Sequence, residues 1–201
     1  MMVRLTQVFE RFRWAGLSPK ASKTTLFATA APFLGHVVGR NGLSMDPKKI
    51  AAVKDIDPTK LTTLLDVRSF LGLTSYYRKF VDKFAEYAAP LHDLTKIGVD
   101  IEVESQSPKC QAAFIALIDA ITTEPVLAMP RFDREFTVKT DGALTHGIGG
   151  VLVQLDDDGK ERPVAFAGRR LSPAERNYSA TEVELLGVIF AIKQWRGYLW
   201  G

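Results

Sequence analysis

The hydrophobic period of this 201-residue sequence changes once, at Pro125, and nothing else in it constrains the fold as strongly. Before that point, core-forming residues recur at helical spacing. Leu5, Val8, Phe9 and Phe12 mark one helix, Val67, Phe70, Leu71 and Thr74 a second, and Leu91 and Leu94 a shorter third. Cys110, Ala113, Phe114, Leu117, Ile118 and Ile121 mark the clearest, opened by Ser107-Pro108. After Pro125 the period falls to two. Phe136, Val138 and Thr140 alternate with exposed residue types, and Ile148 to Leu155 and Pro163 to Ala167 read as two further strands. Asp156-Asp157-Asp158-Gly159 supplies a hairpin turn between them. Ser179 and Glu182 form a capping box for a long final helix. Its apolar stripe, Leu185, Val188, Ile189, Ile192 and Leu199, is expected to face the sheet. The expected fold is mixed α+β: a helical region, then a β-β-β-α unit.

Local signals set the boundaries. Gly16 suits a left-handed helix cap. The run Phe33 to Val38 is broken by Gly35 and His36, and Asn41-Gly42 is a strong turn signal, so a hairpin is expected there. Asp46-Pro47 caps and opens a helix carrying Ile50 and Val53. Residues 96–107 read as a linker. Charge is uneven: residues 1–40 hold six bases and one acid, +5, so the remainder carries −2 of the net +3. A basic end suits phosphate contacts, and a solvated helix face explains it equally well. The single cysteine, Cys110, excludes an internal disulfide and a Cys-rich zinc site. No apolar run is long enough to span a bilayer, and Arg4, Glu10, Arg11 and Arg13 break any signal-peptide pattern. The expected setting is intracellular, with no membrane partner.

Several motifs in order resemble the polymerase of gypsy-type LTR retrotransposons. Phe33-Leu34-Gly35-His36 with Gly42 resembles the last palm strands of the reverse transcriptase, and Val67 to Leu73 with Tyr76-Tyr77-Arg78-Lys79-Phe80 resembles its thumb. Ala89-Pro90-Leu91, Cys110-Gln111-x-Ala113-Phe114 and Pro125-Val126-Leu127 follow in the family's order. Thr140-Asp141, Gly147 to Gln154, Pro163 to Phe166, Leu171 to Glu175 and Asn177-Tyr178-Ser179 resemble the opening of its RNase H domain. Three stretches depart from the pattern: Glu104 to Ser107 stands where the family usually has a Trp, Asp141-Gly142-Ala143 takes the retroviral form, and Lys23-Thr24 replaces Lys-Cys. The resemblance implies four regions. Residues 1–43 end the palm with a primer-grip-like hairpin, 44–107 are thumb-like helices, 108–124 connect, and 125–201 form an incomplete, N-terminal half of an RNase H-like domain.

RNase H chemistry cuts the RNA of an RNA–DNA hybrid by hydrolysis at two Mg²⁺ ions about 3.5–4 Å apart, held by carboxylates. By resemblance, Asp141 on the first strand and Glu184 on the long helix are two of the family's four acidic ligands. The other two, and the palm's metal-binding Asp pair, are expected outside this chain. The isolated chain is therefore expected to be inactive, and whether it acts as an enzyme stays open. Read without the motifs, Asp141 before Gly142 is a turn former and Glu184 a helix-dipole partner.

The partner implied is an RNA–DNA hybrid or template–primer, together with the remainder of the polymerase. Phe33, Leu34, Gly35 and His36 would grip it, Arg68, Arg78 and Lys79 would meet phosphates, and Tyr76 or Tyr77 would pack on sugar or base. The competing reading places Tyr77 and Phe80 in the thumb core. His36 and His146 lack metal-ligand spacing, His92 reads as a surface residue, and Trp14, Trp195 and Trp200 read as packing residues. Two alternatives fit the same residues: a retained fragment that binds hybrid without cutting it, and a product with no separate function.

Overall fold

Ser179 begins the last helix as the sequence reading expects: its hydroxyl accepts from the Glu182 amide, and the Glu182 carboxylate accepts from the Ser179 amide at 2.7 Å. The same reciprocal cap, Thr63 with Asp66, opens the helix Leu64–Tyr76. Asp46 caps Pro47–Lys54, and Ser107 caps Pro108–Thr122. In the computed structural model, which describes residues 2–123, 126–145 and 147–200, these caps open four of the α-helices. Pro125 and His146 lie outside the described residues.

The elements run α1 (Met2–Trp14), β1 (Ala30–Phe33), β2 (His36–Gly39), β3 (Gly42–Met45), α2 (Pro47–Lys54), α3 (Leu64–Tyr76), α4 (Phe84–Leu94), α5 (Ile101–Glu104) and α6 (Pro108–Thr122). Then come β4 (Thr137–Ala143), β5 (Gly147–Leu155), β6 (Glu161–Arg169), α7 (Ala180–Gln194) and α8 (Arg196–Leu199). β1, β2 and β3 form one antiparallel meander, and β4, β5 and β6 a second. The first meander contains two hairpins where the sequence suggests one. Leu34 and Gly35, both at positive φ, turn β1 into β2, and Arg40-Asn41 turns β2 into β3. Within the stretch read as a linker, Asp100 caps the short α5.

One core joins the helices: Val53, Val67, Phe70, Phe80, Leu91, Phe114, Leu117 and Ile121 are buried together. The faces expected for α3 and α6 are the buried ones. Phe166 of β6 packs against this core. The second sheet thus lies between two layers. Residues such as Val138 and Leu152 meet Ala191 and Trp195 on one face, while Phe166 meets the helical core on the other.

Two expected packing faces are corrected. On α7 the sheet side is formed by Val183, Gly187 and Ala191, while Leu185, Val188, Ile189 and Ile192 are exposed. Small residues at 187 and 191 let the helix come close to the strands, a signal weaker in sequence than the large apolar residues opposite. On α1 no residue is buried, and within its stripe Phe9 lies against Phe12 at 6.4 Å. Trp195 is buried as expected, whereas Trp14 and Trp200 are exposed, the latter beneath the Arg196 guanidinium. No helix among the described residues is long and apolar enough to cross a membrane.

Candidate nucleic-acid interface and carboxylate site

The β1–β2 turn is held from the end of α3. The Tyr77 hydroxyl donates to the Gly35 carbonyl at 3.0 Å, and the Tyr76 hydroxyl donates to the Leu34 carbonyl. The Gly35 carbonyl also accepts from the Asp46 amide at 3.2 Å, so the tip is tied both to α3 and to the head of α2. A side chain at Gly35 would press on both rings, at 3.3 Å. His36 is buried among Tyr76, Tyr77 and Phe80, with ring centroids 5.3–5.6 Å away. Its Nδ1 meets no hydrogen-bond partner among the described residues.

With the turn fixed, Phe33 and Leu34 stand exposed at its tip, 62% and 73% accessible. The turn Arg78–Phe80 follows directly on the two tyrosines. Arg78 donates to the Gly168 carbonyl at 3.2 Å and so ties this turn to β6. The Lys79 ammonium lies 5.4 Å from the Phe80 ring centre, and burial holds its pKa below the ordinary lysine value. Tyr77 and Phe80 are core residues, the second of the two readings of the aromatics, whereas Tyr76 stays half exposed. Arg68 is exposed on α3, away from this cluster's described contacts. The structure therefore gathers Phe33, Leu34, Gly35, His36, Tyr76, Arg78 and Lys79, and leaves Arg68 apart. His92 is at the surface, as expected.

Asp141 sits near the end of β4, which among the described residues is bonded only to β5. Its cross-strand partner is Gly149, whose partner on β6 is Gly168. This glycine row strips side chains from the sheet face beside the carboxylate. The result is a cleft of about 250 Å³, lined by Asp141 and, across from it, by Asp82, Lys83 and Glu86 at the head of α4. On the other face α7 comes close: a Cβ at Gly142 would lie 2.9 Å from the Val183 carbonyl oxygen, and one at Gly187 would lie 3.6 Å from that of Asp141. Glu184 follows Val183 and is exposed. The backbones bearing Asp141 and Glu184 thus adjoin, and of the two carboxylates Asp141 lines the cleft. Neither has a hydrogen-bond or ion-pair partner among the described residues. No group of three or more His, Cys, Asp or Glu positioned for a metal occurs among them.

The sequence reading missed an ordered segment after β6. Glu175 takes both Arg169 nitrogens, at 2.7 and 2.8 Å, and the Ser172 amide at 2.8 Å. Those bonds, the Arg169 pair foremost, hold its pKa down from 4.5 to about 2. Arg170 reaches α4, at Asp93, over 2.8 Å. Leu171-Ser172-Pro173-Ala174-Glu175 carried the signal as a motif but not the partner of its acid.

Comparison with known proteins agrees with this architecture. Residues 107–201 match the family described as an RNase H-like domain found in reverse transcriptase. The chain is 36% identical over 196 residues to the retrovirus-related Pol polyprotein from transposon opus of Drosophila melanogaster, covering 93% of this chain and 19% of that protein. It is 32% identical over 197 residues to that from transposon gypsy of the same species, covering 93% and 18%. In fold it resembles the foamy viral protease-reverse transcriptase solved in complex with an RNA/DNA hybrid, with a TM-score of 0.80 and 22% identity over 98% of this chain and 26% of that one. A second foamy viral structure, in complex with double-stranded DNA, gives 0.80 at 34% coverage of that chain. Fold and matches together define the class, a reverse-transcriptase segment joined to an RNase H-like unit. Over nearly its whole length the chain is similar to the Pol polyproteins of gypsy-type retrotransposons, and it spans about a fifth of the length of these curated relatives.

Proposed function

We propose that this chain is the part of a retrotransposon polymerase that holds an RNA–DNA template–primer through its β1–β2 tip and the Tyr76–Lys79 turn, and that it contributes Asp141 and Glu184 to an RNase H metal site. The observation that carries the first half is the pair of tyrosine bonds. They fix an exposed Phe33-Leu34 tip beside Arg78 and Lys79, giving a rigid apolar point next to cations. Phosphates would meet the cations while the tip bears on sugar or base. Pre-fixing the tip removes an ordering cost that binding would otherwise carry.

For the second half, Asp141 and Glu184 are hard oxygen donors on a strand and a helix in close contact, and neither is tied up in an internal ion pair. They fit Mg²⁺ as part of a ligand set. When bound, paired divalent ions would supply the acidity that activates water and stabilises the leaving oxygen. Asp141 and Glu184 would hold them, and the bare glycine row beside Asp141 would leave room for a backbone phosphate. Two carboxylates are fewer than a two-ion site requires, so the chain's role there is contribution rather than completion.

Titrating a labelled RNA–DNA hybrid at several salt concentrations tests the grip. Binding is expected to weaken with salt, and K79Q to weaken it further; affinity indifferent to both overturns it. Mn²⁺ line broadening in NMR tests the metal ligands. It is expected at residues 141–142 and 183–185 and lost in D141N/E184Q, whereas broadening that persists in that variant removes the assignment.

A further inference from the structure

Four arginines converge beside the β5–β6 hairpin. Arg40, Arg131, Arg134 and Arg162 line a cleft of about 350 Å³ between the β2–β3 turn and the β5–β6 hairpin, and Asp156 and Asp157 line it with them. Buried groups fix the arrangement. Gln154, 5% exposed, accepts from the Arg131 amide at 2.9 Å and donates to the Arg131 and Arg134 carbonyls at 2.7 and 3.2 Å. Leu43 and Leu127 exchange backbone hydrogen bonds at 2.8 and 2.9 Å, which seats the Arg40-Asn41 turn alongside. Gly42 leaves no room there for a side chain against Leu127.

The acids neutralise only part of this charge. Asp157 pairs with Arg131 at 3.3 Å and with Arg134, and Asp133 takes Arg131 at 3.0 Å. Asp156 is occupied within the hairpin turn, accepting from the Asp158 and Lys160 amides at 3.0 and 2.9 Å. Arg40 and Arg162 have no partner among the described residues. Guanidinium groups present forked donors that match phosphate oxygens, and they are never neutral at physiological pH.

We propose that this cleft is a second nucleic-acid contact, binding the phosphodiester backbone of a strand through Arg40 and Arg162 while Asp157 keeps Arg131 and Arg134 in place. The proposal rests on the reading that the chain holds nucleic acid, and its site is separate from the tip and thumb. The test titrates a fluorescent RNA–DNA hybrid against wild type, R40Q/R162Q and K79Q across a salt series, with thermal melts confirming that each is folded. R40Q/R162Q is expected to lower the slope of log affinity against log salt by about two, one per arginine, and to weaken binding roughly tenfold. Should that variant unfold, R40Q alone, in an exposed turn, is expected to change the slope by about one. An unchanged slope overturns the arginine site; if K79Q still weakens binding, the grip stands without it. The reverse pattern keeps the arginine site and removes the grip, and wild type that binds no hybrid removes both. Inorganic triphosphate binding that R40Q/R162Q abolishes, with hybrid affinity intact, marks a free-phosphate site and overturns the proposal.

Discussion

Gly142 shows how tightly single residues are specified. Its missing Cβ is what lets α7 lie on β4, since a methyl there would meet the Val183 carbonyl oxygen at 2.9 Å and its carbon at 3.1 Å. G142A is expected to cost roughly 1–3 kcal/mol in urea unfolding, as overpacking does, because backbone must move to relieve it. A neutral G142A would mean that α7 stands further from the sheet. Glu175 gives a pH signature. Its folded pKa lies below its ordinary 4.5, near 2, so the stabilisation it supplies is complete above that ordinary value and fades as pH falls from about 4.5 towards 2. Thermal melts of wild type are expected to fall more steeply across that window than those of E175Q; parallel curves would remove Arg169–Glu175 as a stabilising pair. At this scale the sequence offers candidate ligands through motifs, as at Asp141 and Glu184, whose metal role is the proposal made above. It conceals bonds such as Tyr77 to Gly35, because a side chain meeting a carbonyl 42 residues away leaves no period to read.

Elements were the most legible level, because caps and periodicity are local. Ser179-Glu182, Asp46-Pro47 and Ser107-Pro108 each open a helix, and the aspartate-glycine turn joins β5 to β6. Which face of an element is buried depends on what approaches it, and there α7 misleads. A helix apolar nearly all round has no preferred side in sequence, so contact went to its small residues and left Leu185, Val188, Ile189 and Ile192 in solvent. L185K/I192K is expected to change stability by no more than about 0.5 kcal/mol while reducing light scattering on concentration. A large loss of stability would show that this stripe is covered in solution. The three-stranded first meander escaped for a similar reason: Ala30 to Phe33 is fully exposed and carries no alternation.

The molecule as a whole depends on a few ties between its halves. Arg78 reaches the Gly168 carbonyl, Arg170 reaches Asp93, and Phe166 enters the helical core. Burial opposes the charge on Asp93, yet the bonds from Arg170 and Lys96 prevail and hold its pKa below the ordinary value. These ties set the thumb-like turn and the Asp141 cleft on one body, so a duplex gripped at the tip would be positioned relative to the carboxylates. Nothing in the sequence pattern fixes that relation, since each tie joins residues far apart in the chain. The central claim, that the β1–β2 tip and the Tyr76–Lys79 turn grip a duplex, is tested most directly by amide hydrogen exchange of the full chain with and without an RNA–DNA hybrid. Added protection is expected at residues 33–36 and 76–80. Protection elsewhere with these two segments unchanged would contradict it.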